Sequence, residues 1–248
     1  MTTSAQHPAE SVSQSRRQTG PKRRSLILGM IVALVALGAG GVVTSAVADQ
    51  PAGYGPSDPF DDALMGDTGP VEPMKNQAKI IVTKYGYRLT AGQQNSHLTV
   101  TRVNGRLRFH DSGTRSWKSL PVACKAQRAT GVAAVCRVPA STSAGNPTLL
   151  EFHPRLGHDY VDGRTLPATF EMAVLADAGR DTVFTGHGND FINGAHDPDR
   201  AYGGAGNDWI RGGSGNDRIG GGAGRDYIVG QDGRDIINGG SGVDRIYP

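Results

Sequence analysis

The sequence has few cysteines, few aromatic residues and none of the short motifs of the common catalytic sites. Among its 248 residues there are two cysteines, and aromatic residues make up 6%. No H-E-x-x-H, G-x-S-x-G or P-loop pattern occurs. No basic motif interleaved with aromatic residues occurs either, so nucleic acid is not an expected partner. These absences remove the most familiar zinc-protease, serine-hydrolase and nucleotide-binding classes.

Residues 1–48 have the order of a secretory signal peptide. A polar stretch with five basic residues is followed by an apolar run at 26–43, and then by the small residues Ala46 and Ala48. This order predicts cleavage after Ala48 and export of the rest of the chain. An uncleaved membrane anchor is the alternative, because the run of 18 residues just reaches spanning length.

Residues 49–74 are typical of an extended linker. They contain five prolines and five aspartates but no lysine or arginine. A segment of this composition favours an extended spacer over a packed core.

Residues 75–175 predict a β-rich segment, because no stretch keeps a helical period. The run 97–103 alternates between polar and apolar residues, Asn104 and Gly105 follow, and 106–110 alternates again. Asn-Gly between alternating runs is typical of a β-hairpin. Further strands are expected at 79–84, 132–138, 148–153 and 169–175.

The segment 156–161 has Gly, Asp and an apolar residue at the offsets of the repeat described below. Residues 75–175 are therefore either an irregular beginning of the same solenoid or a small separate β-sandwich.

Cys124 and Cys136 are the only cysteines, and an even number in an exported chain predicts a disulfide. Closing this loop is worth roughly 3 kcal/mol. Metal ligation and a catalytic thiol are the alternatives, but no His or further Cys stands at ligand spacing.

Residues 176–248 repeat a unit of nine residues. In the clearest units the pattern is Gly-Gly-x-Gly-x-Asp, followed by a residue, an apolar residue and another residue. Glycine permits positive φ, and one apolar residue between two outward-facing ones predicts a three-residue strand after a six-residue turn. Two units form one coil, so the aspartates fall on two edges: Asp181, Asp199, Asp217 and Asp235 on one, and Asp190, Asp208, Asp226 and Asp244 on the other.

Stacked coils lie about 4.8 Å apart, so these carboxylates repel each other unless a cation lies between them. Oxygen ligands on flexible loops favour calcium. One apolar residue per unit is too little to offset the entropy of ordering the glycines, so metal binding is expected to be part of folding. A site with a Kd of about 10⁻⁴ M adds roughly 1.4 kcal/mol at 1 mM calcium.

The units differ in quality, because the unit 194–202 lacks two of the three expected glycines. We therefore expect three sites on the edge of Asp190 and one between Asp217 and Asp235.

The repeat resembles the haemolysin-type calcium-binding (RTX) nonapeptide G-G-x-G-x-D-x-U-x, which matches residues 176–247. The resemblance implies an all-β fold, a right-handed parallel β-roll or β-solenoid preceded by an irregular β segment, that binds several Ca²⁺ ions. It assigns metal binding to the repeat aspartates and glycines Asp181, Asp190, Asp208, Asp217, Asp226, Asp235, Asp244, Gly203, Gly212, Gly221 and Gly239. Asp199 fits this assignment least well. The order of signal peptide, β segment with a cysteine pair and repeats is also similar to secreted actinobacterial calcium-binding proteins.

Charge is divided between the segments. Residues 71–175 hold 14 Lys and Arg against 6 Asp and Glu, whereas residues 176–248 hold 7 against 11. The basic segment either contacts an anionic partner, such as a cell-wall polymer or lipid, or is a solvated surface that balances the acidic ends. A membrane is expected as a partner only if the amino-terminal apolar segment stays uncleaved.

We predict a secreted, extracellular or cell-wall-associated calcium-binding protein with a structural, adhesive or cell-surface role and no catalysis. The alternative is a secreted hydrolase with its site in 75–175, where His153, His158 and Asp159 cluster, and with the roll as a calcium-dependent folding aid. A third reading makes the roll a calcium-triggered ratchet for export.

Overall fold

The computed structural model describes residues 76–92 and 94–248, and these residues form strands, turns and bends with no helix. No segment in the described ranges is therefore a helix that could cross a membrane. The signal peptide or anchor at 1–48 and the linker at 49–74 lie outside the described residues.

The strands follow one another along the whole described chain. They are β1 Gln77–Val82, β2 Gly86–Thr90, β3 His97–Val103, β4 Arg106–Asp111, β5 Ser116–Ser119, β6 Cys124–Gln127, β7 Val132–Arg137, β8 Thr148–His153, β9 Tyr160–Asp162, β10 Phe170–Leu175, β11 Thr182–Phe184, β12 Phe191–His196, β13 Arg200–Ala205, β14 Trp209–Gly215, β15 Arg218–Gly224, β16 Tyr227–Gly233, β17 Ile236–Gly242 and β18 Arg245–Tyr247.

From β8 onward, alternate strands lie in two different sheets, which makes a parallel β-solenoid of about six turns. Sheet A has the order β18-β16-β14-β12-β10-β8-β2-β1-β5, and sheet B has the order β17-β15-β13-β11-β9-β3-β4-β7-β6. In the repeats each residue pairs with the residue 18 positions later, as Ile210 does with Ile228. Two nonapeptides therefore make one coil, as the sequence predicts.

The amino-terminal strands join the same two sheets. Strand β2 pairs in parallel with β8, and β3 pairs in parallel with β9. Strands β3 and β4 form the expected hairpin, with positive φ at Asn104 and Gly105. The sheets therefore continue without a break from the hairpins into the repeats.

The strands of the repeats are longer than the predicted three residues. Strand β14 runs over seven residues, and its pairing with β16 continues through Gly213 and Gly215. The expectation of a six-residue turn is wrong. The glycines at the second and fourth positions of a unit adopt positive φ, but the residues around them stay paired with the neighbouring coil as part of a strand.

One continuous core fills the space between the sheets. The apolar position of the repeat is buried in six successive units: Val183, Ile192, Ala201, Ile210, Ile219 and Ile228. Ile237 is only partly buried and Ile246 is 40% exposed, because no further coil of this sequence covers them.

The disulfide between Cys124 and Cys136 is present, as predicted. The two cysteines are direct partners across antiparallel β6 and β7, and both lie in the core.

Candidate metal centre

A ladder of aspartates runs along each edge of the solenoid. On one edge the backbone N–H of Asp181 donates to Oδ1 of Asp199, and that of Asp199 donates to Oδ1 of Asp217. On the other edge the N–H of Asp190 donates to Asp208, and that of Asp208 to Asp226. These four N–O distances are 2.7–2.9 Å. One carboxylate oxygen of each aspartate thus holds the preceding coil, and the other oxygen is left for a different partner.

That second oxygen, Oδ2, lies over the first glycine of its own unit. A Cβ built on Gly203 would overlap Oδ2 of Asp208 and would lie 2.7 Å from the carbonyl oxygen of Gly221, one coil further on. The φ of Gly203 is not positive. Glycine is therefore required here by space, since a side chain would fill the region between the carboxylate and the carbonyl.

We call this arrangement a cradle: a first glycine, Oδ2 of the aspartate in the same unit, and the glycine carbonyl of the next coil. Four units have both oxygens within 2.8 Å of the added Cβ. The cradles lie over Gly194, Gly203, Gly212 and Gly221, with the aspartates Asp199, Asp208, Asp217 and Asp226.

The four cradle aspartates carry a buried oxygen without a partner. Oδ2 of Asp199, Asp208, Asp217 and Asp226 is buried and makes no hydrogen bond. Burial raises the pKa of Asp199 to about 8 and that of Asp226 to about 6. Burial, with Asp190 and Asp226 as charged neighbours, raises the pKa of Asp208 well above its usual value. A bound cation would favour the charged form of these carboxylates, whereas the metal-free fold disfavours it.

Asp190 differs from the other predicted ligands. Its unit begins with Thr185, which stands where the six later units have the first glycine. The hydroxyl of Thr185 donates to the carbonyl of Gly203. The backbone N–H of Gly186 donates to Oδ2 of Asp190 at 3.0 Å. The protein itself therefore satisfies the oxygen that is left open in the four cradles.

The last coil supplies only half of each cradle. Oδ2 of Asp235 lies over Gly230, and Oδ2 of Asp244 lies over Gly239, but no glycine carbonyl from a further coil approaches either glycine. Asp181 also has a buried Oδ2 without a hydrogen bond, and Ala176 stands at the first position of its unit.

The glycine-poor unit keeps the backbone of the others. Ala195 and Asp197 occupy the second and fourth glycine positions and adopt φ of 73° and 74°. Asp177 and Gln231 do the same at the second position of their units. Asp199, the least fitting aspartate by sequence, therefore has the same geometry as Asp217. Non-glycine residues in this region are strained, so the neighbouring coils must hold them there.

Sequence reasoning missed one member of the ladder, Asp159. Its Oδ1 accepts from the backbone of Ser96, and its own N–H donates to Oδ1 of Asp181 at 2.7 Å. The degenerate repeat at 156–161 was the signal, because it places Asp159 where a repeat aspartate belongs.

The candidate catalytic residues belong to different parts of the fold. His153 ends β8 in sheet A, is 9% exposed, and has a buried Nε2 without a hydrogen bond. Burial and the nearby Arg88, Arg155 and Lys79 lower its pKa to about 3. Asp159 belongs to the ladder beside sheet B, and exposed His158 accepts from the backbone of Arg180. The described contacts thus assign Asp159 and His158 to the packing of coils.

The fold and its cradles define a class of protein: a parallel β-solenoid with oxygen-lined positions between coils. Residues 174–195, 197–228 and 220–248 match the family of the RTX calcium-binding nonapeptide repeat (4 copies). No curated protein and no solved structure matches the chain. The matches support a haemolysin-type calcium-binding repeat protein, and these repeats indicate calcium binding.

Proposed function

We propose that the chain is an exported protein whose roll folds around several calcium ions and has a structural or adhesive role at the cell surface, without catalysis. The observation that supports this most is the set of buried Oδ2 atoms without partners, each facing a glycine carbonyl of the next coil. Leaving a buried carboxylate oxygen unpaired costs several kcal/mol in a stable fold.

The cradles of Asp199, Asp208, Asp217 and Asp226 would each hold one ion, which makes four. Within the described residues, no three His, Cys, Asp or Glu side chains converge on one point. Most ligands would therefore be backbone carbonyls of the glycine turns, with one carboxylate oxygen per cradle. Three of these cradles lie between coils where the sequence predicts a site: between Asp208 and Asp226, between Asp226 and Asp244, and between Asp217 and Asp235. The fourth proposed site moves from Asp190 to Asp199.

The donor set suits calcium better than magnesium or zinc. It consists of oxygens only, and it lies on glycine-rich backbone. Calcium accepts many oxygen ligands in flexible geometry, whereas magnesium requires a strict octahedron and zinc prefers nitrogen and sulfur. When bound, calcium supplies positive charge between carboxylates that otherwise repel each other.

The sequence of residues 1–48 and the disulfide support an exported location. RTX repeat proteins are also typically secreted. The order of segments supports the secreted actinobacterial type. The basic residues of 71–175 support an anionic partner at the cell surface.

Calcium titration of residues 49–248 tests the first part of the proposal. We expect far-UV circular dichroism to report a gain of β-structure at about 0.1–1 mM calcium, reversal by chelator, and no change with magnesium. Calorimetry should count four ions. Asp208→Asn should remove one, and Asp232→Asn, at an exposed position of the same roll, should remove none. A chain folded fully without calcium and unchanged by it contradicts the proposal.

Fractionation of producing cells tests the location. The protein should remain with the cell wall in calcium and leave it with chelator. Recovery only from the cytosol, with residues 1–48 intact, refutes export.

A further inference from the structure

A row of aromatic rings lies on the outer face of sheet B, which is the side that points away from the core. His97 stacks on Tyr160 with ring centroids 4.4 Å apart, and Tyr160 is 5.8 Å from Phe184. Phe184 stacks on Tyr202 at 4.8 Å with an angle of 9° between the rings. All four side chains are partly or fully exposed. The row therefore offers an apolar strip, and the exposed side chains of Val103 and Ile236 add apolar area on the same face.

The row ends at a gap. Tyr202 pairs with Gly220 on β15, and Gly220 pairs with Asn238 on β17. Gly220 has no side chain, so nothing on β15 continues the row. The ring of Tyr202 leans over Gly220, because a Cβ built there would lie 3.0 Å from its Cδ1. The ring face that points away from Phe184 is therefore the last of the row, and exposed Asn238 lies beyond it. A flat ring stacked on that face would extend the row by one step.

The same face carries pairs of like charges. Arg106 lies directly opposite Arg137, and Arg200 lies directly beside Arg218. All four are exposed. Like charges at directly paired positions destabilise a sheet, so these positions favour an anionic partner. Asp162 is the one carboxylate on this face of the described strands.

That carboxylate is already neutralised within the protein. Asp162 forms an ion pair with Arg164 at 2.7 Å, and the guanidinium of Arg164 lies 4.5 Å from the ring of Phe184. The paired arginines on either side of the aromatic row therefore keep their charge for a ligand.

We propose that the outer face of sheet B binds a linear anionic polysaccharide. Sugar rings stack on the aromatic row and in the gap beside Tyr202, and their acidic groups contact the arginine pairs Arg106–Arg137 and Arg200–Arg218. The inference rests on the proposed adhesive role and names the surface and ligand class for it.

The dimensions favour an extended chain over a compact ligand. Nine strands about 4.8 Å apart span roughly 38 Å. Arg200 and Arg218 lie at the level of Tyr160, whereas Arg106 pairs with Val103, six residues beyond His97, so the second arginine pair lies about 20 Å further along the strand direction. A chain that contacts both pairs therefore crosses the strands obliquely. A sugar ring is about as long as the spacing between neighbouring strands. An alternation of apolar ring faces and regularly spaced acidic groups matches this surface.

The test uses residues 49–248 in saturating calcium with hyaluronate as the probe and neutral dextran as its uncharged control. Tyr202→Ala should weaken hyaluronate binding by about 2- to 10-fold, which is the range of one aromatic contact. The double substitution Arg200→Gln and Arg218→Gln should weaken binding and reduce its dependence on salt. The matched controls are Tyr247→Ala, an exposed aromatic residue of sheet A, and Arg234→Gln, an exposed arginine of the roll.

Binding of hyaluronate but not dextran, lost in the face variants and kept in the controls, supports the proposal. Equal binding of dextran, equal loss in the controls, or preference for phosphatidylglycerol vesicles or single-stranded DNA overturns it. Circular dichroism of the same samples separates the two proposals. A chain that folds with calcium but binds no hyaluronate refutes only this inference, and a chain that ignores calcium refutes the proposed function. The arginine variant keeps the test decisive if Tyr202→Ala does not fold.

Discussion

Without calcium, the roll should be more stable at pH 5 than at pH 7.5. Burial, the largest cause, raises the pKa of Asp159 to about 8, that of Asp181 to about 7 and that of Asp199 to about 8, against 3.8 as the usual value. At a pH between the usual pKa and the raised pKa, the folded chain keeps protons on these carboxyl groups that the unfolded chain has released. Stability must therefore fall as pH rises.

The size of the effect follows from counting protons. Between pH 5 and 6 each of these three aspartates contributes a loss of about 1.4 kcal/mol per pH unit, and together they contribute about 4 kcal/mol. His153 has the opposite effect. Its pKa is lowered to about 3 in the folded chain, so between pH 5 and 6 the unfolded chain binds a proton on this residue and the folded chain does not, and stability rises with pH. This offsets about 1.4 kcal/mol per unit. These four groups together give a loss of about 3 kcal/mol per pH unit, which is large beside a typical total of about 5–15 kcal/mol. Burial also raises the pKa values of Asp190, Asp208, Asp217 and Asp226, which act in the same direction.

The assay compares the chain in chelator at pH 5, 6 and 7.5 by far-UV circular dichroism and by the fluorescence of Trp209. The spectra without urea should show the most folded repeats at pH 5, and a urea titration then measures the midpoint of the structure that remains at each pH. Trp209 is 2% exposed in the repeats, and Trp117→Phe leaves it as the only tryptophan. The midpoint should fall as pH rises. With calcium the trend should reverse, because the ion favours the ionised carboxylates. Equal midpoints at pH 5 and 7.5 in chelator would refute the reasoning.

Three further perturbations address separate parts of the fold. Replacing Cys124 and Cys136 by serine should lower the free energy of unfolding by about 3 kcal/mol in urea titration without changing the calcium count; a changed count would contradict a purely structural disulfide. Gly221→Ala should remove one ion in calorimetry because the methyl group fills a cradle, whereas Gly145→Ala, with open space around it, should remove none; an unchanged count for Gly221→Ala contradicts the cradle. Ile210→Ala should cost about 2–5 kcal/mol in thermal unfolding with saturating calcium, and a loss below 1 kcal/mol would mean that the core is looser than its burial indicates.

The repeat half of the fold can be read from the sequence because its contacts are periodic. At the aspartate and apolar positions, a residue and its partner 18 positions later have the same chemical character, as Ile210 and Ile228 do, so the period alone gives the register. The amino-terminal half has no such period. Strand β2 pairs with β8, for example Arg88 with Glu151 across 63 residues. The local sequence of neither strand predicts this pairing. The hairpin at Asn104 and Gly105 is predictable because its turn chemistry is local.

The sequence predicts on which edge of the solenoid each repeat aspartate lies, but it does not predict which units form a cradle. The period placed the aspartates on two edges, and the glycine count then favoured the edge of Asp190. Glycine count is a poor guide here, because neighbouring coils hold Ala195 and Asp197 at positive φ. The decisive position is the first of each unit. Thr185 fills this space in its own unit, whereas Gly194 leaves the corresponding space open in the next unit. The importance of this position depends on which atoms lie above it, and only the structure shows them.

The two ends of the solenoid are stabilised in different ways, and this explains why calcium belongs at one of them. The amino-terminal end packs bulky side chains such as Phe109 and Phe152 and has a disulfide. The repeats bury one aliphatic side chain per unit between the sheets, together with Phe191 and Trp209 in a second cluster. Each coil also adds buried carboxylates that disfavour the ionised fold. Calcium bound at the proposed cradles would reverse the sign of that contribution, so the same aspartates would oppose folding where calcium is scarce and favour it where calcium is abundant. The amino-terminal end can then be the template on which the first repeats stack, since β8 and β9 already present paired edges and Asp159 begins the ladder.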